Sequence, residues 1–193
     1  MPRTLPDLLQ PGLELVFVGI NPGEESARIG HYYGHPGNGF WPALSASGLV
    51  PAAVGHEDDR RLPGCWGIGF TDVVKRVLTD STRVRDAELR EARPAFERRI
   101  AYAAPRAVCF TTTRAFDVLF PSVRAVRGGR GARGGRDAPG EAWGRQPVQV
   151  AGAEAWVMPS TSGRAAGYRA HVHRVLRELA AHLGRGEGGA GAR

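Results

Sequence analysis

Lysine, cysteine and long apolar runs are all scarce in this chain of 193 residues. Lys75 is the only lysine among 26 basic residues, so a reaction through a lysine Schiff base has a single candidate. The two cysteines, Cys65 and Cys109, are too few for a disulfide framework, a structural zinc site or a four-cysteine iron–sulfur cluster. Both lie in apolar segments, and we expect them to be reduced and buried.

The scarcity of apolar runs also bears on location and partners. No stretch approaches the roughly 20 apolar residues that a membrane-spanning helix needs. Residues 1–12 lack the apolar core of a secretory signal. We therefore expect a cytoplasmic protein that does not contact a membrane. The net charge of +7 favours a polyanionic partner such as nucleic acid, although an arginine-rich genome would give the same excess.

Apolar patterning predicts strands that alternate with helices. The predicted strands cover residues 13–19, 107–111, 146–150 and 154–158. The predicted helices cover residues 38–48, 86–103, a short piece around Phe116, and 166–183, whose buried stripe begins at Tyr168. We therefore expect an α/β domain with a mostly parallel sheet. Ligands of such sheets bind beyond the carboxyl ends of the strands, which here are the residues after Gly19 and Met158.

Two segments have the composition of flexible chain. Residues 124–136 contain five arginines, many glycines and no acid. Residues 184–193 have too little apolar surface to fold. We expect one domain over residues 1–183, with a flexible Arg/Gly-rich loop at 124–136 and a disordered tail at 184–193. The loop would add electrostatic binding to phosphates, although such stretches also bind RNA or serve as linkers.

The turn that follows the first predicted strand carries a side chain suited to holding water. Pro22 and Gly23 break the strand and leave backbone N–H groups free to meet a ligand. Asn21 then places a neutral amide at the strand end, where it can donate and accept hydrogen bonds. The alternative for this residue is an Asx turn with no further role.

Four motifs occur in order along the chain, at residues 19–23 (GINPG), 31–41 (HYYGHPGNGFW), 67–72 (GIGFTD) and 157–164 (VMPSTSGR). Together they resemble the mismatch-specific uracil and thymine DNA glycosylases of the uracil-DNA glycosylase superfamily. Each motif alone is modest evidence, whereas four in the order and spacing of the family are strong. The resemblance covers residues 13–183 and implies a three-layer α/β/α fold with a mostly parallel central sheet.

The resemblance also assigns roles in binding and hydrolysing a flipped nucleotide. Asn21 matches the residue that positions the attacking water. Tyr33 matches the position that stacks on the base, and the backbone N–H groups of Ile20 and Gly23 would bind its carbonyl oxygens. Ser26 would lie near the C5 edge of uracil. The electrophile is an oxocarbenium-like sugar, so a weakly activated water suffices.

The implied activity is that of a monofunctional hydrolase, a DNA repair enzyme that removes uracil mainly from G·U mismatches and leaves an abasic site. Its partner would be double-stranded DNA containing uracil, bound by a monomer associated with the nucleoid. No cofactor is implied. We also expect no metal, because His31 and His35 lie in a loop broken by Gly34 and Pro36 and no third ligand is apparent.

Asp72 departs from the family, which commonly has a neutral or basic residue there. A carboxylate near the base could accept a proton from water or stabilise the positive sugar, and so extend catalysis or substrate range. The alternative is that Thr71 or Asp72 caps a helix beginning at Val73. The sequence leaves both interpretations open.

The fourth motif predicts a loop that enters the DNA helix. Arg164 matches a residue that occupies the space left by the flipped base, and Ser160 and Ser162 could donate to phosphates. Some relatives have an apolar wedge here, which Thr161 and Gly163 do not provide. Plain surface exposure is the alternative for Arg164.

Three other functions compete with uracil removal. One is a glycosylase for hypoxanthine, xanthine or alkylated bases, since the sequence does not fix which donors face the base. Another is a non-catalytic DNA-binding protein on the same scaffold, which would not need a water-holding amide. A nucleotide-binding enzyme of the Rossmann type is disfavoured because no G-x-G-x-x-G follows the first strand.

Overall fold

The computed structural model of the protein describes residues 4–126 and 143–185. Of the Arg/Gly-rich segment predicted to be a flexible loop at 124–136, residues 127–136 lie outside the described residues, as do residues 186–193 of the predicted tail. The loop prediction is wrong for residues 124–126, which end a helix over Pro121–Val126. The first two residues of that tail are described, and Arg185 donates hydrogen bonds to the carbonyl oxygens of Leu49 (3.0 Å) and Trp66 (2.6 Å).

The described residues form one five-stranded sheet in the order β2-β1-β3-β5-β4. Its strands are β1 (Leu15–Gly19), β2 (Ile68–Asp72), β3 (Ala107–Phe110), β4 (Gly144–Val150) and β5 (Ala153–Val157). The pairs β1–β2, β1–β3 and β3–β5 are parallel, whereas β4 pairs with β5 antiparallel at one edge. β1 and β3 are buried throughout, as their continuous apolar sequences predict.

Helices cover both faces of this sheet. They are α1 (Glu24–Ile29), α2 (Phe40–Ser45), α3 (Leu62–Trp66), α4 (Asp86–Ala103), α5 (Thr113–Leu119), α6 (Pro121–Val126) and α7 (Arg169–His182). Alternate residues along the strands contribute their side chains to two different apolar clusters. Phe17 and Cys109 pack with α2 and α7, whereas Val16 and Phe110 pack with α4 and α5. The predicted burial of both cysteines is right for Cys109 and wrong for Cys65, which is exposed. The predicted three-layer α/β/α fold is therefore confirmed.

The predicted long helix has the predicted bounds, and Pro94 lies inside α4 without ending it. The buried residues Leu89, Phe96 and Ile100 offset the backbone hydrogen bond that a proline removes. The prediction for the last helix is wrong at its start. A 3-10 turn over Gly163–Tyr168 precedes α7, and Tyr168 is 49% exposed instead of lying on the buried stripe.

β2 is a strand that patterning did not predict. Glycines interrupt its apolar sequence, and each has a structural reason. Gly67 adopts a left-handed φ of 62° at the end of α3. A Cβ on Gly69 would lie 2.6 Å from the Leu8 carbonyl oxygen, because the N-terminal segment crosses β2 there through a bridge between Leu8 and Phe70.

Candidate active site at the carboxyl ends of β1 and β2

The first and third motifs meet where β1 and β2 end, since Gly19 and Asp72 are register partners. Backbone pairing continues beyond the strands. The Val73 and Val74 amides donate to the carbonyl oxygens of Gly19 (3.0 Å) and Ile20 (2.9 Å). The structure thus brings Asn21 and Asp72, far apart in sequence, to one edge of the sheet.

Asn21 has one side-chain atom free for a ligand. Its Nδ2 donates to the carbonyl oxygens of Pro22 (2.9 Å) and Leu78 (3.3 Å). Its Oδ1 is buried and has no hydrogen-bond partner among the described residues. The Asx-turn alternative is therefore wrong, because that turn would use Oδ1 as a backbone acceptor. An amide fixed through its nitrogen presents its oxygen as an acceptor for a water proton.

Asp72 is a buried carboxylate at the last position of β2. The residue is 4% exposed, and Oδ2 has no hydrogen-bond partner among the described residues. Burial raises the pKa of Asp72 to about 7, while the nearby Lys75 and Arg99 charges lower that pKa and Asp7 raises it. No helix begins at Val73, so the helix-cap alternative for Thr71 and Asp72 is wrong.

Gly19 makes room for this carboxylate over the end of β1. A Cβ at that position would lie 2.2 Å from Asp72 Oδ1, far inside van der Waals contact, and 3.9 Å from the Tyr33 hydroxyl oxygen. The first glycine of the GINPG motif is thus required by the close approach of Asp72. It also places the Asp72 carboxylate and the Tyr33 hydroxyl on the same strand end.

Tyr33 is held by its ring and its hydroxyl. The hydroxyl donates to Thr111 Oγ1 (3.3 Å), and one ring face stacks on Phe40 with 4.0 Å between centroids. Burial and the Asp72 charge raise the pKa of Tyr33 above its ordinary value. Its φ of 52° is left-handed, which is uncommon for a residue with a side chain. The ring face stacked on Phe40 is not available to a base.

The loop that carries Tyr33 is pinned by residues that the motifs did not reveal. Asp59 is fully buried, and its two oxygens bind the Tyr32 amide (2.8 Å) and His31 Nδ1 (2.9 Å). The Trp41 indole donates to the Tyr32 carbonyl oxygen (3.0 Å). Asp59 lies in a charged stretch at residues 56–61, where no pattern distinguishes it from a solvated acid.

The remaining predicted base-binding residues lie beside this loop. Ser26 is buried, and its Oγ accepts from the Gly34 amide (3.0 Å), so this hydroxyl supports the loop. Gly23 precedes α1, and a Cβ there would meet no atom within 4 Å, which leaves space beside its backbone. Ile20 is 8% exposed, with its side chain in the core.

The fourth motif lies against the second. The Gly39 amide donates to the Thr161 carbonyl oxygen (2.8 Å), and a Cβ on Gly163 would lie 3.4 Å from the Gly37 carbonyl oxygen. Thr161 is buried at this contact. The predicted DNA-entering loop therefore borders the loop that holds Tyr33.

The outer part of the fourth motif is exposed. Ser160 Oγ donates to Ser162 Oγ (3.1 Å) and accepts from the Ser162 amide (3.2 Å). The Arg164 side chain is 82% exposed, and its nearest acid is Asp80, with 3.4 Å between nitrogen and oxygen. Exposed hydroxyls and an exposed guanidinium are available to bind phosphates or bases.

An open cleft of about 380 Å³ lies beside this region. It is lined by Glu24, Glu25, Arg28, His35, Pro36 and Thr79. Its two glutamates do not suit a phosphate, and it contains none of Asn21, Tyr33 and Asp72. The unpartnered oxygens of Asn21 and Asp72 define the candidate site better than this cleft does.

No group of three or more His, Cys, Asp or Glu side chains in residues 4–126 and 143–185 is arranged to hold a metal ion. His31 binds Asp59, whereas His35 Nδ1 accepts from the Gly37 amide (3.0 Å). Across the same ranges, no helix combines the length and apolarity needed to cross a membrane.

Comparison with known proteins decides the family. The model of the uracil DNA glycosylase superfamily matches residues 6–183. The chain belongs to this superfamily. It is therefore a DNA glycosylase by family, in a class of hydrolases that act on DNA at N-glycosidic bonds.

A solved structure agrees with the superfamily fold. The solution NMR structure of a candidate uracil DNA glycosylase from Methanosarcina acetivorans is similar, with 23% sequence identity and a TM-score of 0.53. The match covers 92% of this chain and 98% of that chain. At this identity the similarity supports the fold alone.

Proposed function

We propose that this protein is a mismatch-specific uracil DNA glycosylase that flips uracil, chiefly from G·U pairs, and hydrolyses its N-glycosidic bond. One observation carries the proposal. Two buried oxygens without partners among the described residues, Asn21 Oδ1 and Asp72 Oδ2, occur at the paired ends of β1 and β2. Buried polar atoms are normally satisfied, so these two unsatisfied acceptors favour bound water at this end of the sheet.

The chemistry follows from these two acceptors. Asn21 Oδ1 orients the water, and Asp72 accepts its proton as the oxygen attacks C1′ of the sugar. With a pKa of about 7, Asp72 is partly ionised at neutral pH and can act as a base. The ionised form also stabilises the positive charge of the oxocarbenium-like sugar. The backbone N–H groups of Ile20 and Gly23 stabilise the departing uracil anion.

The surrounding residues hold the flipped nucleotide. The free face of Tyr33 stacks on the base, and Ser26 keeps the Tyr33 loop close to the C5 edge. Ser160 and Ser162 bind phosphates of double-stranded DNA, and Arg164 enters the space that the base leaves. A single copy of residues 1–183 carries all of these groups, so the protein acts as a monomer.

Cleavage is monofunctional, because the only lysine is not available as a nucleophile. The Lys75 ammonium is bound to Asp7 at 2.9 Å. This ion pair engages the amine, so Lys75 is not positioned to form a Schiff base with the sugar. Neither a metal nor a cofactor is needed for the reaction. The product is an abasic site in an unbroken strand.

The test is gel-resolved cleavage of labelled oligonucleotides, before and after alkaline treatment. The series contains uracil opposite G, uracil opposite A, single-stranded uracil and thymine opposite G. We expect breaks only after alkali, and fastest for uracil opposite G. Asn21→Ala and Asp72→Asn should each reduce single-turnover cleavage by about 100-fold or more.

Matched variants control for the loss of an amide or a carboxylate elsewhere. Gln149→Ala removes an exposed amide from β4, and Glu178→Gln removes a carboxylate from the surface of α7. Both should cleave as the wild type does. Cleavage of hypoxanthine, xanthine or alkylated bases without cleavage of uracil would replace our substrate with another base. DNA binding without any cleavage would indicate a binding protein on a glycosylase scaffold.

A further inference from the structure

Three charged side chains form a cluster behind β2, outside the site described above. Asp7 Oδ1 accepts from Lys75 Nζ (2.9 Å) and from Thr71 Oγ1 (2.6 Å). Asp7 Oδ2 lies 3.3 Å from Arg99 Nε. The side chains of Asp7, Lys75 and Arg99 are all between 22% and 29% exposed. One carboxylate between two cationic side chains gives this cluster a net charge of +1.

Arg99 reaches from α4 to the backbone around Asp72. One terminal nitrogen donates to the carbonyl oxygens of Asp72 (2.7 Å) and Val73 (3.4 Å), and its Nε donates to Thr71 Oγ1 (3.3 Å). Side chains alternate along a strand, so Thr71 faces the cluster while Asp72 faces the other side, over Gly19. The cluster therefore holds the strand from the side opposite the carboxylate.

We infer that Asp7, Lys75 and Arg99 are positioning residues that fix Asp72 and supply the net positive charge that lets its buried carboxylate ionise. This inference rests on the proposed function, in which Asp72 is the base. A carboxylate oxygen without a hydrogen-bond partner receives little local stabilisation when it ionises. A nearby cationic cluster is the remaining source of that stabilisation, and Lys75 and Arg99 both lower the pKa of Asp72.

The other groups that face Asp72 do not titrate near neutral pH. Tyr32 and Tyr33 belong to the loop over residues 31–39, called the pocket loop below, and burial raises the pKa of both phenols above the ordinary value. Asn21 follows β1 and carries no charge. The charged groups near Asp72 come from three different elements: Asp7 from the N-terminal segment, Lys75 from the loop after β2 and Arg99 from α4. Each of these charges can therefore be removed by its own substitution.

The test is a carbon-detected NMR titration of the Asp72 side-chain carboxyl group in the full chain. Asp72→Asn identifies the resonance by its loss. Lys75→Met removes one positive charge and keeps an unbranched apolar stem, so the midpoint should rise by about 0.5 to 1 pH unit. Asp7→Asn removes the negative charge and leaves both cations, so the midpoint should fall by a similar amount.

Two variants serve as controls for this titration. Lys75→Arg keeps the positive charge and should keep the midpoint of the wild type. Arg76→Met removes a neighbouring charge that pairs with Glu88 on the surface, and it should also leave the midpoint unchanged. The inference is overturned when Lys75→Met and Asp7→Asn leave the Asp72 midpoint where it was, or move it in the same direction.

The pH dependence of kcat/KM on uracil-containing DNA separates this inference from the proposed function. We expect the acid limb of the profile to follow the NMR midpoint, upward in Lys75→Met and downward in Asp7→Asn. If the NMR midpoint of Asp72 moves while the acid limb of the kcat/KM profile stays fixed, the effect of the cluster on Asp72 is supported and the role of Asp72 as the base is contradicted. Midpoints that do not move contradict the cluster, whatever the cleavage rates show.

Discussion

Asp72 is a residue whose environment favours chemistry over stability. A carboxylate in a buried position costs free energy when it ionises, because the protein replaces water with poorer solvation. Because of this cost, Asp72 binds its proton more tightly in the folded state, with a pKa of about 7. The same tight hold makes Asp72 a stronger base than an exposed aspartate. We therefore expect stability and turnover to respond in opposite directions when the charge is removed.

Asp72→Asn should stabilise the protein at pH 8. Because the pKa of Asp72 is raised from 3.8 to about 7, the unfolding free energy of the wild type falls as pH rises between these values and then levels off. The Asp72→Asn variant avoids that loss, so its unfolding free energy at pH 8 should exceed that of the wild type. Each unit of pKa shift corresponds to about 1.4 kcal/mol, which sets a ceiling of about 4 kcal/mol on the difference. The gain should be smaller at pH 5. Urea unfolding at both pH values measures it.

Glu178→Gln is the control for this prediction, since Glu178 forms a surface pair with Arg174. Its effect should stay below about 1 kcal/mol. An Asp72→Asn variant that is less stable than the wild type at pH 8 would mean that the ionised carboxylate has a stabilising partner.

The residues proposed to react could be selected from the sequence, but the residues that support them could not. Asn21, Tyr33 and Asp72 lie in short motifs whose residue types already indicate what each group can do. Asp59 and Arg99 have partners 27 or 28 residues away, and nothing local distinguishes them from surface charges. Their roles exist only once β2 and the pocket loop have packed, which a single sequence does not show.

At the scale of elements, the pocket loop over residues 31–39 has little regular structure and depends on side-chain bonds. Asp59 holds its start, Ser26 holds the Gly34 amide, and Asn38 Oδ1 accepts the Phe40 amide where α2 begins. A loop with a left-handed Tyr33 needs such bonds, because that backbone conformation is not intrinsically favoured. The position of the Tyr33 ring therefore depends on residues outside the proposed base-binding surface.

Asp59→Ala should loosen this loop. The change leaves the buried Tyr32 amide without its acceptor, which costs about 1–3 kcal/mol for the unsatisfied donor. Tyr33 then loses its fixed position, so KM for uracil-containing DNA should rise more than kcat falls. Urea unfolding and steady-state cleavage measure the two effects.

His31→Ala is the comparison for Asp59→Ala. It removes the other partner of Asp59 but leaves the bond to the Tyr32 amide, so its effects on stability and KM should be smaller. Equal effects in the two variants would show that the amide bond does not hold the loop.

Elements with strong apolar patterning were predicted best. β1, β3 and α4 have continuous or strictly spaced apolar residues, and each was predicted to within about two residues. α1 and α3 were not predicted, since each is six residues or shorter and too brief to show a helical period. β2 was missed because the close crossing of the N-terminal segment requires a glycine inside it.

At the scale of the whole molecule, the parallel strands collect all four motifs at one side of the fold. β1 ends two residues before Asn21, β2 ends at Asp72, and the loop after β5 lies against the pocket loop. Many arginines elsewhere are paired with acids, whereas the one acidic partner of Arg164 within residues 4–126 and 143–185 is Asp80, in a long surface contact. Such exposed pairs are weak, so a DNA phosphate can replace Asp80 as the partner of Arg164.

The Arg/Gly-rich segment should contribute to DNA affinity through charge alone. Residues 127–136 contain four arginines and no acid. Replacing all four with serine keeps the chain length and removes only the charge. For every phosphate that the segment no longer neutralises, the slope of log affinity against log salt should become shallower by about 0.9, so the largest expected reduction is about 3.6. Fluorescence anisotropy with uracil-containing duplex DNA at several salt concentrations measures the slope.

The base that is cleaved should not change in this four-serine variant, because the groups proposed to contact the base lie in the turn after β1, in α1 and in the pocket loop. Single-turnover cleavage at saturating enzyme should also match the wild type. An unchanged salt slope would show that the segment does not bind phosphates. A changed preference among uracil opposite G, uracil opposite A and thymine opposite G would instead place it beside the flipped base, where charge alone does not explain its effect.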